Sequence, residues 1–232
     1  MMSKYDIEYN GQTARSLGVF LSEYPTFSGA EKSYTTTQMA GKLGELVGQD
    51  EGKSNLIIEC IFAIVSKRFP LKVIQIKEWL SGTGNLTLSD SEDRFYRVWK
   101  IDYGDMEREL RNYGTFSAMF TCTPFEYLKE GQELKTIEEV TFNPYSESRP
   151  IYKITGEGVC ELTVNGGKVT ANIGQNVTID TENMLAYRED GTVQNTAITG
   201  DYDDLYLLKG ENTISITPDF SLTIIPNWGY EV

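Results

Sequence analysis

The sequence predicts a mostly β protein of two domains with a single helix, and three observations carry that reading. Short apolar runs alternate with polar residues along most of the chain, the period of a half-buried strand. One stretch alone, after Pro70, has helical spacing with a proline start and a glycine stop. A turn-rich segment of mixed charge, from about Leu128 to Pro150, separates two such β-rich regions. With 232 residues, 40% hydrophobic and 12% aromatic, the chain can build one large or two modest domains with sizeable cores.

In chain order, Tyr5, Ile7 and Tyr9 alternate with Asp6 and Glu8, and Asn10-Gly11 supplies a turn. Residues Gly29–Glu51 are polar and glycine-rich, with threonines at 35 to 37, and read as a long loop or an irregular hairpin. A segment of that length inside a compact domain is usually functional, so it is taken as an interaction arm. Ile57–Val65 is apolar and β-branched, as a buried strand requires. The helix is expected over about 71–81, where Ile76, Trp79 and Leu80 share a face with Val73 close by, a pattern suited to packing on a sheet. Leu86 and Leu88 alternate with polar residues, Ser89–Asp93 makes a polar turn, and Phe95–Ile101 follows as a strand. In Gly114–Cys122 the side chains of Phe116, Ala118, Phe120 and Cys122 fall on one face, and Pro124 is expected to end that strand.

Asn143-Pro144 and Arg149-Pro150 are turn signals, and a domain boundary is expected near Ser146, giving domains 1–145 and 146–232. Beyond it Cys160, Leu162 and Val164 alternate, Asn165-Gly166-Gly167 turns, and Val169, Ala171 and Ile173 alternate back. Val177 and Ile179 are read as beginning another strand. Ile214 and Ile216, then Leu222 and Ile224, bracket a turn at Pro218-Asp219. Short strands at this spacing predict a β-sandwich.

Composition removes several classes of chemistry. The net charge is −13, which argues against a nucleic-acid clamp built on clustered cations. Residues 146–232 hold 5 Lys+Arg and 13 Asp+Glu, so the second half is the more acidic. The chain has no histidine, which excludes Ser-His-Asp and Cys-His catalysis and every histidine-containing metal site. Cys60, Cys122 and Cys160 are far apart and odd in number, so neither a zinc ribbon nor a disulfide framework is indicated. Cys160 is expected to be buried as a small hydrophobe. The acidic run Asp201-Tyr202-Asp203-Asp204 fails as a calcium loop, because Tyr206 and Asn212 stand where glycine and glutamate are needed. Gly41-Lys42-Leu43-Gly44 lacks the spacing of a phosphate loop. Nothing selects one pair of carboxylates for hydrolysis.

The expectation is therefore a protein with no catalytic, cofactor-binding or metal-ligating residue, and not an enzyme. Met1–Asn10 lacks the apolar core of a signal peptide and no apolar stretch approaches ~20 residues. Cysteine usage fits folding in a reducing cytosol. Tyr187, Tyr202, Tyr206, Trp228 and Tyr230 are the candidate aromatics of the second domain for facing a sugar or a protein partner, with packing in the core or an interface the better account of most of them.

Several of these segments, taken together and in order, resemble the siphophage distal tail protein family, often called Dit. Ile76-Lys77-Glu78-Trp79-Leu80-Ser81-Gly82, continuing through Leu86, Leu88, Ser89-Asp90 and Phe95-Tyr96, looks like the family's helix ending in a Trp-Leu pair and the strand that follows it. Phe116, Phe120, Cys122, Pro124-Phe125 and Tyr127 are similar to the close of its N-terminal domain. Pro150-Ile151, Gly156, Gly158, Ile179-Asp180, Gly200-Asp201-Tyr202, Leu205, Leu208, Gly210 and Asn212, then Ile224, Pro226 and Trp228, resemble its C-terminal domain. The resemblance covers nearly the whole chain, and Gly29–Glu51 departs from it most.

The resemblance implies a tail-tube-like β-sandwich or split barrel with one helix over 1–145, and a galectin-like β-sandwich over 146–232. It implies a structural hub at the virion tail tip, folded and assembled in the bacterial host cytoplasm. Six copies would form a ring beneath the tail tube. The implied partners are the chain itself, the tail tube protein and a tail-associated lysin or tail spike, with a receptor-binding protein or host polysaccharide in some relatives. Neither specific nucleic-acid binding nor membrane insertion is implied. At this length there is no room for an inserted carbohydrate-binding module, so the short hub form is expected. The arm would then reach a neighbouring subunit, with Thr35, Thr36, Thr37, Leu43 and Leu46 as its candidate contacts.

Overall fold

The computed structural model describes residues 5–41, 43–136 and 140–232. The chain divides into two compact units, one running to Glu126 and including Val232, the other Tyr127–Glu231. Residues 127–145, read from the sequence with the first domain, lie in the second unit. The reason is strand pairing: Lys135–Thr136 pairs with Ser221–Ile225, and Val140–Asn143 runs antiparallel to Gly210–Ile216 with Val140 opposite Thr213 and Asn143 opposite Gly210.

The first unit is built on an antiparallel ladder between Leu56–Val65 and Tyr113–Leu128, from Tyr113 opposite Val65 to Cys122 opposite Leu56. Alternation then places Leu56, Ile58, Cys60, Phe62 and Ile64 on the same buried face as Phe116, Ala118, Phe120 and Cys122. Across the sheet the order is Gln12–Thr13, Ile7–Tyr9, Gly84–Leu88, Arg94–Tyr103, Tyr113–Leu128, Leu56–Val65 and Val19–Leu21. The strand does not end at Pro124, as its sequence suggests, but continues to Leu128. Its ladder with Leu56–Val65 stops at Cys122, so the missing N–H of Pro124 breaks no rung there.

The helix spans Phe69–Trp79, with Pro70 in its first turn, where an N–H would have no helical acceptor. Phe69, Ile76, Trp79 and the following Leu80 are buried against the sheet, and Val73 packs beside them. Trp79 Nε1 donates to the carbonyls of Tyr9 and Gln12 at 3.3 and 3.2 Å, which ties the helix end to the first hairpin.

Between Val19–Leu21 and Leu56–Val65 the chain leaves the sheet. Thr26–Gly29 pairs with Leu56–Glu59, and then Lys32–Gln38 and Glu45–Lys53 form a two-stranded sheet of their own with two shifts of register. Gly29 sits at the point of departure with φ +86°, and a Cβ there would lie 2.2 Å from the Asn55 carbonyl oxygen. Glycine is required on both counts.

The second unit holds an eight-stranded curled sheet. Its frame is one long hairpin, Ile151–Val164 with Gly167–Asp180, in register from Ile151 opposite Asp180 to Val164 opposite Gly167. Residues Gly167–Asp180 are thus one strand, although Val177 and Ile179 read as a separate one. The first half of Ile151–Val164 pairs with Ser221–Ile225 and the second half with Gly210–Ile216. Alternation along this one strand puts Tyr152, Ile154, Cys160, Leu162 and Val164 into one core. Gly156 lets the Phe220 ring lie against the strand, since its φ is +154° and a Cβ would meet that ring at 2.3 Å. Leu205 ends the short 3-10 turn Tyr202–Leu205 and is buried.

Candidate functional site

Nucleophilic chemistry has little foothold. All three cysteines are buried and free. Burial is the main cause that pushes the Cys60 and Cys122 thiols up to about 12, and it raises Cys160 as well. Thiols held in the protonated form are poor nucleophiles at neutral pH. Among the described residues no group of three or more His, Cys, Asp or Glu side chains is placed to hold a metal ion. No helix among them is long and apolar enough to cross a membrane.

The surfaces that stand out are apolar and exposed. On the arm, Thr35, Thr36 and Thr37 are exposed along Lys32–Gln38, and Leu43 at the tip is fully exposed. Tyr34 and Met39 add to that surface, and Phe27 stands exposed at the arm's root. The side chain of Leu46 lies outside the described residues. An exposed leucine gains about 2 kcal/mol on full burial, so an arm carrying these groups is suited to lie against another surface.

The five candidate aromatics do not form one platform. Trp228 and Tyr230 come together through Tyr145, whose ring is 5.8 Å from the first and 5.4 Å from the second. The ammonium of Lys135 stands 3.8 Å from the centroid of Trp228, over its face. Tyr206 is half-buried under the guanidinium of Arg149 at 5.4 Å. Burial first, then a hydrogen bond with Asp203, pushes its hydroxyl up to about 12. Tyr202 packs against the core of the second unit. Tyr187 belongs to the strand Leu185–Tyr187 and bridges to Val193. Tyr230 alone of the five is exposed, and the other four are half-buried.

The outer side of the helix was not anticipated. Leu71 is 48% exposed and Ile74 62% exposed, on the side away from Ile76 and Trp79. Lys67, Arg68 and Lys77 are exposed around them. The one sequence signal was the cluster Lys67-Arg68-Phe69-Pro70-Leu71-Lys72 in an otherwise acidic chain.

No family model matches the chain, and no curated protein matches it. Among solved structures, the crystal structure of the SPP1 Dit (gp 19.1) protein is similar, with a TM-score of 0.68 and 14% identity over 96% of this chain and 98% of that one. It is described as a paradigm of the hub adsorption apparatus in phages that infect Gram-positive bacteria. At this identity the likeness is one of fold, and it extends over nearly the whole of both chains. The resemblance to distal tail proteins read from the motif order is thus present in three dimensions.

Proposed function

We propose that this chain is a structural hub of a phage or prophage tail tip, in which a ring of six copies joins the tail tube to the lysin or baseplate components. The observation that supports this most is the fold shared with a phage hub protein from end to end, with no large segment left over on either side. In this reading the first unit forms the ring, the second points outward as a galectin-like module, and the arm lies on a neighbouring copy. Closing a ring of identical copies needs one patch to meet a different patch on the next copy. The arm, with Leu43, Met39 and Tyr34, supplies one such patch. A subunit of net charge −13 would also present a surface past which DNA slides without sticking.

Light scattering or negative-stain imaging of the purified chain, alone and with the tail tube protein or the lysin, tests the proposal. Hexamers, or hexamers that form on adding a partner, are expected. A protein that stays monomeric with both partners present would refute the hub role. A carbohydrate-binding role for the second unit is the other reading, favoured by the Tyr145–Trp228–Tyr230 cluster. Calorimetry against host cell-wall polysaccharide decides it, and absence of heat at millimolar sugar removes it.

A further inference from the structure

The first unit carries a face of one charge sign in a chain of the other. The segment 67–78 holds Lys67, Arg68, Lys72 and Lys77 against Glu78 alone. None of the four cations has an ion-pair partner among the described residues. Leu71 and Ile74, between these cations in the sequence, are exposed. Beside Leu71 a cavity of about 300 Å³ opens between Ser66, Lys67, Arg68, Lys72 and Gln75. Lys72 is steadied at its wall, where Nζ donates to Gln75 Oε1 at 2.8 Å.

The neighbouring edge strand Glu107–Leu110 carries both signs, and its pairing sorts them by face. Arg108 is opposite Gly114, and a Cβ at Gly114 would meet the Phe69 ring at 2.6 Å, so this face is the one the helix covers. The Arg108 guanidinium lies 5.6 Å from that ring. Glu107 is opposite Thr115, and the Thr115 hydroxyl donates to Glu109 Oε1 at 2.7 Å. Both carboxylates therefore belong to the other face of the sheet, because successive side chains of a strand point to opposite sides. Arg111 is exposed near the helix start, where Ser66 N donates to the Asn112 carbonyl at 3.0 Å. Arg108 and the segment 67–78 together have a net charge of +4 in a chain of −13, so the rest of the chain carries −17.

A face of one sign with an apolar centre selects the chemistry of its partner. We infer that it docks an acidic segment of another protein, whose carboxylates meet Lys67, Arg68, Lys72 and Arg108 and whose apolar side chain covers Leu71 and Ile74. The cavity between Lys67, Arg68 and Lys72 receives one of those carboxylates. Leu71 and Ile74 favour a protein over nucleic acid, since a phosphate backbone gives them nothing to bury against. The negative charge on the rest of the chain disfavours a long polyanion or an anionic membrane, which would extend past the patch and meet like charge. The docking does not depend on a ring. Both sets of charges are exposed before contact, so docking is screened by salt over a distance of about 10 Å at 0.1 M.

Fluorescence anisotropy of labelled peptides titrated with the full chain tests the inference. A peptide of glutamate and leucine should bind at low salt and dissociate as salt is raised. Its glutamine–leucine and glutamate–serine counterparts should each bind at least about tenfold more weakly. This preference reads the face in the wild-type chain without any variant. Lys67→Glu/Arg68→Glu should abolish binding, whereas Lys153→Glu/Lys209→Glu, which changes the charge equally at exposed sites of the second unit, should leave it intact. Leu71→Ser/Ile74→Ser should bind the leucine and serine peptides alike. Thermal melting of each variant shows that the fold is intact. If the helix variant binds as the wild type does, or the second-unit variant loses binding equally, the inference is wrong. If a DNA duplex of the same charge binds more tightly than the peptide, the face is a polyanion site and the inference is wrong. If the chain itself doubles in mass at low salt and the helix variant does not, a second copy takes the face and the inference is again wrong.

Discussion

The two units solve the problem of a β core in opposite ways. The first fills its interior with volume: Tyr9, Phe62, Trp79, Phe116 and Phe120 are buried, and Phe62 stacks on Phe116 at 4.9 Å while meeting Trp79 edge-on at 6.1 Å. The second fills its interior chiefly with Val, Ile, Leu and Ala, and adds buried polar groups that the first nearly lacks. Asn143, Ser148, Thr178, Asp180, Thr181, Asn212 and Asn227 are buried there, against Thr87 alone in the first unit among the described residues. A helix laid on one sheet leaves a wide gap that rings can fill. A sheet curled on itself leaves little room, but its tight turns strand backbone groups that need partners.

Truncating a ring should therefore hurt the first unit most. Phe62→Ala is expected to cost about 4 kcal/mol, since it empties the centre of the aromatic stack. The cysteines report each unit separately: Cys60 and Cys122 lie in the first and Cys160 in the second. In urea, Phe62→Ala should bring forward the thiol labelling of Cys60 and Cys122 and leave that of Cys160 where it was. Equal acceleration at all three sites would show that the two units unfold together.

The converse substitution is Asn212→Ala. Asn212 Nδ2 donates to the carbonyls of Leu208 and Gly210 at 2.8 and 3.0 Å, and its Oδ1 accepts from Leu208 N and Asn165 Nδ2, both at 2.8 Å. Asn212 itself is buried while Leu208 and Asn165 reach solvent, so removing it leaves those groups short of partners at a cost of about 2 kcal/mol. Labelling should now advance at Cys160 first.

The difference between the cores also explains what the sequence could disclose. The helix was legible because Pro70 marks its start and Ile76, Trp79 and Leu80 recur at helical spacing. The strand at Leu56–Val65 was legible because a long β-branched run has few other uses. The break between units was not, because Asn143-Pro144 and Arg149-Pro150 are turns within the second unit, while the real division falls inside the continuous strand Tyr113–Leu128. The single strand Gly167–Asp180 was read as two, because Gly174 and Gln175 interrupt its apolar alternation while pairing with Glu157 and Gly156 keeps it in register. Of the candidate site, the arm was visible as polar chain too long for a simple loop. The helix face was hidden, because Leu71 and Ile74 have the residue types of a core and only their exposure distinguishes them.

The long hairpin of the second unit makes a demand of its own at Gly156, where the Phe220 ring lies against the backbone. Gly156→Ala must push a methyl group into the Phe220 ring and hold a backbone conformation that alanine avoids. A loss of about 2 kcal/mol is expected by denaturant titration. A smaller loss would mean that Phe220, between the strands Gly210–Ile216 and Ser221–Ile225, moves aside and that the hairpin does not need glycine here.

Ion pairs should separate the units least, and the size of that effect follows from burial. In the second unit Lys168 Nζ meets Glu161 Oε1 at 2.8 Å, with side chains 62% and 48% exposed. In the first, Glu126 is 14% exposed and takes both Arg94 Nη1 at 3.2 Å and the Tyr96 hydroxyl at 3.1 Å. Water competes freely for the first pair and poorly for the second. Lys168→Ala should change stability by less than about 0.5 kcal/mol, and by less again at high salt. Glu126→Ala should cost about 1.5 kcal/mol, because it leaves the buried Tyr96 hydroxyl without its acceptor and leaves Arg94 only the more exposed Asp93. If the two losses measured by denaturant titration were equal, burial would not be what sets the strength of these pairs, and the contrast drawn between the two cores would lose its physical basis.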